Sequence, residues 1–191
     1  MAMSRTLSLG LLFALLCAAA TSCISPPDFS DTPRIKFENL DIVRLPNPPG
    51  FQTEYSDTIR IYFEDGNGDL GLSTTDTMPP YDRTVDPVTK EVNENYYNYF
   101  VQTQIKNPST GDWEDYVATG LPAGVYNSRY PRLAPESDKE APLKGTLKFN
   151  TSVTVGPVFP PGSEIRYRVS IKDRALNRSN EIFTSSHVIE R

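Results

Sequence analysis

Between Ile165 and Lys172 the chain alternates without a break: Ile165, Tyr167, Val169 and Ile171 are interleaved with Arg166, Arg168, Ser170 and Lys172. Successive side chains of a β-strand point to opposite faces, so a period of two predicts a strand with one buried and one solvated face. A helix would scatter the same four apolar residues around its circumference. The pattern recurs along the chain. Thr58–Glu64 puts Ile59, Ile61 and Phe63 inward and Arg60 and Tyr62 outward. Arg34–Leu40 sets Ile35 and Phe37 on one side, and Leu143–Phe149 aligns Leu143, Leu147 and Phe149. Tyr96–Lys106 and Trp113–Val117 read as a hairpin around the Gly- and Pro-bearing loop Asn107–Gly111, and Glu181–Ile189 closes the chain. No segment sustains an i, i+3, i+4, i+7 apolar repeat, and 17 Pro with 11 Gly supply turns rather than helices. About seven short strands predict an all-β, antiparallel β-sandwich. Leu72–Asn95 and Thr119–Ala141 are expected to be long loops, of the kind that carry function or motion.

The stretch Ile165–Asn180 ends in Asp173-Arg174-Ala175-Leu176-Asn177-Arg178-Ser179. It resembles the penultimate strand and final turn of bacterial extracellular immunoglobulin-like domains, in which an Asp-x-Ala-x-Asn-x-Ser turn precedes the last strand. Asp and Asn suit such a turn because their short side chains bond the local backbone and tolerate left-handed dihedrals. The resemblance implies an immunoglobulin-like sandwich over residues 34–191. The antibody-type Cys…Trp…Cys arrangement is absent.

The amino terminus has a different grammar. Met1–Arg5 carries one positive charge, Thr6–Ala20 is apolar, and Ala20-Thr21-Ser22-Cys23 follows. The apolar run falls short of the ~20 residues of a spanning helix and suits a signal peptide over residues 1–22. The segment ending at Cys23 resembles the lipobox of bacterial lipoproteins, in the relaxed form of Bacteroidetes-type members, with Ala20 where Leu is commonest. That resemblance implies a diacylglycerol on the Cys23 thiol, a tether over residues 23–33, and residence on the outer membrane, facing the periplasm or the cell surface. Pro26, Pro27 and Pro33 keep the tether extended. Ordinary cleavage after Ala20 would instead leave a soluble exported protein. Cys17 lies within the signal, so the mature chain would hold Cys23 alone and form no internal disulfide.

Net charge is −5, and loss of Arg5 with the signal makes it −6. A mildly acidic chain with singly spaced Lys and Arg lacks the dense basic stripe that phosphate binding needs, which argues against nucleic acid. His187 is the single histidine, expected as a surface or half-buried strand residue, and one histidine excludes a His-rich zinc site. No nucleophile-elbow, Walker-type or dinucleotide-binding motif occurs, so no catalytic residue is assigned.

Two motifs carry possible binding chemistry. Asp65-Gly66-Asn67-Gly68-Asp69-Leu70-Gly71 continues to Asp76. It offers hard oxygens at Asp65, Asn67 and Asp69, a backbone carbonyl near Gly71, and an acid at Asp76, as a structural calcium loop would. The same residues are the usual occupants of a β-turn after a strand, and both readings stand open. The hairpin aromatics Tyr97, Tyr99, Trp113 and Tyr116 either pack in the core or form a platform for a glycan or a protein partner. Asp57-Thr58-Ile59 and Asp76-Thr77-Met78 resemble sites of O-glycosylation in exported proteins of the same bacterial group. The expectation is therefore a membrane-anchored, non-enzymatic binding or structural module, accessory to an envelope protein complex, with a surface glycan-binding lipoprotein as the alternative.

Overall fold

The computed structural model describes residues 27–117, 119, 124–134 and 140–190, and the expected signal peptide, Cys23 and Arg191 lie outside them. Eight strands form two antiparallel sheets: β1 (Arg34–Arg44), β2 (Glu54–Asp65), β3 (Tyr99–Lys106), β4 (Trp113–Asp115), β5 (Leu143–Thr154), β6 (Glu164–Ile171), β7 (Ile182–Phe183) and β8 (His187–Val188). One sheet has the order β1-β2-β5. The other runs β4-β3-β6, with β7 and β8 both on the free side of β6. The described residues hold no α-helix, only a 3₁₀ turn at Glu94–Tyr96. The protein is an all-β sandwich.

The alternation sets the core. β2 is the central strand of its sheet, and Ile59, Ile61 and Phe63 are all but fully buried. Across β2 they meet Leu40, Phe37 and Ile35 of β1 on one side and Phe149, Leu147 and Gly145 of β5 on the other. Ile35 and Leu40 share this face despite opposite parity, because the β1–β2 register shifts between Phe37 and Asn39. The extra residue of such a bulge resets the pleat. From the opposite sheet, Val101, Ile165, Val169 and Ile171 complete the core. Each such side chain contributes about 1.5–3 kcal/mol through burial. Gly145 lies opposite Phe63, where an added Cβ would lie a tight 3.2 Å from the ring.

The outer face of the five-stranded sheet is less solvated than the alternation implies. Lys172 and Ser170 are buried, and Lys172 Nζ lies 2.9 Å from Asn95 Oδ1. The Arg166 guanidinium sits between the rings of Trp113 and Phe183, at 4.2 and 4.3 Å from their centroids, and Arg178 covers Phe100 at 4.0 Å. The guanidinium groups themselves thus stack on aromatic rings and cover this face.

β1, β2 and β5 run longer than the sequence reading, to Arg44, over Glu54–Asp65 and to Thr154, and β4 stops at Asp115; two further differences have a local cause. The strand expected from Tyr96 starts at Tyr99, because Asn93 caps a 3₁₀ turn by accepting the Asn95 amide through its side chain. The last expected strand is split into β7 and β8. Thr184 lies between them and supplies its hydroxyl, rather than a backbone carbonyl, to the Tyr167 amide.

Candidate functional site

At one end of the sandwich three acidic side chains converge. Asp65 is the last residue of β2, Asp69 lies in the turn that follows, and Asp173 lies two residues past the end of β6. One carboxylate oxygen of each lies within 4.8 Å of the others. The inward alternation of β2 ends on Asp65 and so delivers a carboxylate where the pattern calls for an apolar residue. Asp173 arrives through the Asp-x-Ala-x-Asn turn, which is built as its residue types predict. Its carboxylate accepts the Asn177 amide at 2.7 Å and the Asn177 side-chain amide at 2.9 Å. Leu176 takes the left-handed conformation, φ 68°, that closes the turn. An isolated bridge between Leu70 and Asp173 ties the two turns together.

The three acids differ in their support. Asp69 Oδ2 accepts the Ala175 amide at 3.0 Å, while its other oxygen is buried without a partner. Asp65 exposes none of its surface, and neither of its carboxylate oxygens has a hydrogen-bond partner. The Gly68 and Asp69 amides face it and favour its charged form, yet neither reaches hydrogen-bond geometry. Burial is the larger cause, and repulsion from Asp69 and Asp173 the next, that pushes the Asp65 carboxyl up to about 7. Burial first raises Asp69 and Asp173 as well; repulsion from Asp173 adds to it at Asp69, where Arg174 eases it, and repulsion from Asp31 adds to it at Asp173, where the Asn177 hydrogen bonds oppose it. Two carboxylates at such a distance repel by about 3–4 kcal/mol at an effective dielectric of 20.

The surroundings are built around this cluster. The buried Asn98 side chain bonds both the amide and the carbonyl of Tyr130, at 2.8 and 2.9 Å. The Tyr130 hydroxyl is buried without a partner, and burial first, then the charges of Asp65, Asp173 and Asp69, raise its pKa. The segment entering from the amino terminus lies on the same turn: the Gly66 amide donates to Ser30 O at 2.8 Å, and a Cβ on Gly66 would meet Phe29 O at 2.4 Å. Only glycine fits there. A cleft of about 420 Å³, lined by residues that include Asp69, Arg132, Glu140 and Arg174, opens beside Asp69.

Of the five calcium ligands expected from the sequence, the structure brings together Asp65 and Asp69 alone. Asp76 is paired with Arg174 and accepts the Ser73 amide at 2.7 Å, which, against a burial penalty, holds its carboxyl below the usual carboxylate range. Asn67 turns its side-chain oxygen back to the Asp69 amide at 3.3 Å. Gly71 has φ 93° and lies where a Cβ would strike Pro131 O at 2.2 Å, so it serves a close approach of backbones. The missing third acid, Asp173, had a signal in the sequence, but one that spoke only of a turn.

Of the two readings of the hairpin aromatics, burial decides for core packing at Tyr99. Tyr99 is a core residue, stacked on Phe149 of the opposite sheet with centroids 4.8 Å apart. Tyr116 packs edge-on against Phe159 at 5.0 Å, Trp113 is covered by Arg166, and Tyr97 packs edge-on against Tyr96. Tyr97, Trp113 and Tyr116 are half-buried, and Tyr99 faces the core instead of joining them on an open face. Thr58 of the first glycosylation tripeptide lies in the central strand β2, whereas Thr77 of the second is exposed.

A second buried acid lies toward the other end of β2. Asp57 is fully buried and accepts the Tyr167 hydroxyl, while His187 Nδ1 approaches it at 3.8 Å. Burial raises the Asp57 carboxyl, opposed by the Tyr167 hydrogen bond, and burial holds His187 below its ordinary value. The His187 side chain is largely buried, and the Tyr55 ring lies 5.9 Å away. Asp57, Tyr167 and His187 belong to a closed interior, with no cleft among them.

The two sheets and the carboxylates at one end define the class: a β-sandwich domain with an uncompensated acidic centre. Comparison with protein-family models, with curated proteins and with solved structures finds no match to this chain. What the centre can do is therefore argued from its own chemistry.

Proposed function

We propose that this chain is an exported lipoprotein, held on the outer membrane by a diacylglycerol on Cys23. Its immunoglobulin-like sandwich acts as a non-enzymatic binding or structural module accessory to an envelope protein complex. The observation that carries the reading is the amino-terminal order of one charge, an apolar run, and Ala20-Thr21-Ser22-Cys23. A lone cysteine at that position is what lipid attachment uses, and two or more acyl chains hold a protein on a bilayer where one does not.

The placement of the tether supports it. Phe29 and Ser30 pack on the turn after β2, so a short stretch links Cys23 to the acidic end of the sandwich. Seven residues span at most ~25 Å, so an anchored domain would present that end to the membrane. The opposite end of the sandwich, where the connection between β1 and β2 exposes Phe51, would then face a partner. Mass spectrometry of the native protein is expected to show a lipid-modified Cys23 as the first residue, and Cys23→Ser to move the protein from the detergent phase to the aqueous phase. An unmodified chain that stays in the aqueous phase would overturn the reading.

A further inference from the structure

We propose that Asp65, Asp69 and Asp173 form a calcium site that locks the turn after β2 to the turn after β6. The acids alone would not carry this. The second observation is Asp65 itself: a carboxylate with no exposed surface, no hydrogen-bond partner on either oxygen, and both neighbouring acids close by. Buried polar groups are satisfied in the great majority of cases, and a buried charge is paired or coordinates a metal. Here the available cation is elsewhere, because Arg174 turns to Asp76. The orphaned oxygens of Asp65 and Asp69 face a centre that a cation would complete.

The donor set selects the ion. All three ligands are carboxylate oxygens, with the buried Tyr130 hydroxyl as a further oxygen beside them. Hard oxygen donors suit calcium or magnesium and not zinc. Calcium bonds at 2.3–2.6 Å place ligand oxygens up to about 5 Å apart, and calcium adapts to irregular cages. Magnesium demands near-octahedral geometry and keeps several waters, which a fully enclosed Asp65 does not accommodate. The cleft beside Asp69 gives the ion its way in. Three carboxylates in a partly open loop suit an extracellular-type affinity of about 10⁻⁴ to 10⁻³ M.

The test uses the purified full chain, stripped with chelator, and does not depend on the state of Cys23. Calcium chloride at 5–10 mM (about ten times the expected dissociation constant) is expected to raise the melting temperature. Terbium is expected to give tyrosine-sensitised luminescence that calcium displaces. Asp65→Asn should abolish both responses. Because a buried variant can fail to fold, Asp69→Asn, at a half-buried position, carries the sharper reading. It should weaken calcium binding by roughly tenfold or more and melt higher than the parent in chelator but lower in calcium. That reversal of sign belongs to a cation site, since removing one repelling charge helps only while no cation is there. Identical melts in chelator and calcium with no terbium signal would overturn the proposal. So would an Asp69→Asn loss of the same size in both media, and an equal response to magnesium would overturn the choice of ion.

Discussion

Asp57 and Asp65 sit on the same inward face of β2, near its two ends, and neither exposes any surface. Their company differs. Asp57 has a donor from the opposite sheet in the Tyr167 hydroxyl and an imidazole nearby, and no second carboxylate adjoins it. Asp65 has two further carboxylates and no donor within hydrogen-bond geometry, only the Gly68 and Asp69 amides facing it. The contrast shows that burial of an acid does not by itself mark a functional group. At one end the fold gives one carboxylate oxygen a donor, leaving only Asp57 Oδ1 without one, and uses the bond to join its sheets. At the other end it gathers like charge and leaves the compensation to something outside the chain.

The largest effect should come from breaking the supported end. Tyr167→Phe keeps the ring and its burial but removes the only donor that reaches Asp57, leaving an unpartnered carboxylate in the core. Hydrogen bonds to charged groups are worth about 1.5–3 kcal/mol, and urea unfolding at neutral pH should show a loss of that size. Asp57→Asn, which still accepts from the hydroxyl, should lose less. If Tyr167→Phe were neutral, the two ends would not differ in the way described.

A pH series sharpens the same contrast. In chelator, the folded-state pKa of Asp65 is about 7 against an unfolded value near 3.8. Its contribution to stability is then fully present below pH 3.8 and lost as pH rises through about 7, and the raised Asp69 and Asp173 carboxyls act in the same direction. Stability of the stripped protein should fall on the order of 1–3 kcal/mol over that window, and Asp65→Asn should flatten the slope. His187 works the other way. Its folded pKa lies below 6.5, so its contribution is present above 6.5 and lost as pH falls through the depressed value. Asp57, raised in the folded state, opposes His187. His187→Gln should therefore alter only the acid limb, leaving the fall toward pH 7 in place. Denaturant melts at fixed pH intervals measure both.

These two ends were not equally legible in the sequence. Strands β2 and β6 could be read residue by residue, because the side-chain period of a strand is local and unbroken there. The split of the last strand could not, since Thr184 breaks the ladder with a hydroxyl aimed at Tyr167, which is distant in the chain. Asp65 and Asp69 were visible because Asp-Gly-Asn-Gly-Asp places them in one turn. Asp173 was visible only as a turn former, because local pattern does not say which two turns share an end of a sandwich. Tyr99 was ambiguous for a related reason: an aromatic on a strand can face either way, and only the stacked Phe149 of the other sheet decides.

The smallest effect tests the residue on which sequence and structure disagree. Asp76 completes the calcium loop as the sequence spells it, yet in the fold its carboxylate binds Arg174 and the Ser73 amide. Asp76→Asn keeps an oxygen for the Ser73 amide and for Arg174 and loses only the charge of a mostly covered pair; it should cost about 1 kcal/mol and leave the calcium-induced rise in melting temperature intact. The less tightly held Arg174 adjoins Asp69, whose charge it already eases. The calcium affinity of this variant should therefore fall slightly, through competition by the guanidinium, rather than vanish. Loss of the calcium response in Asp76→Asn with its retention in Asp173→Asn would return the site to the contiguous loop. It would also mean that the turn after β6 meets the turn after β2 for packing alone.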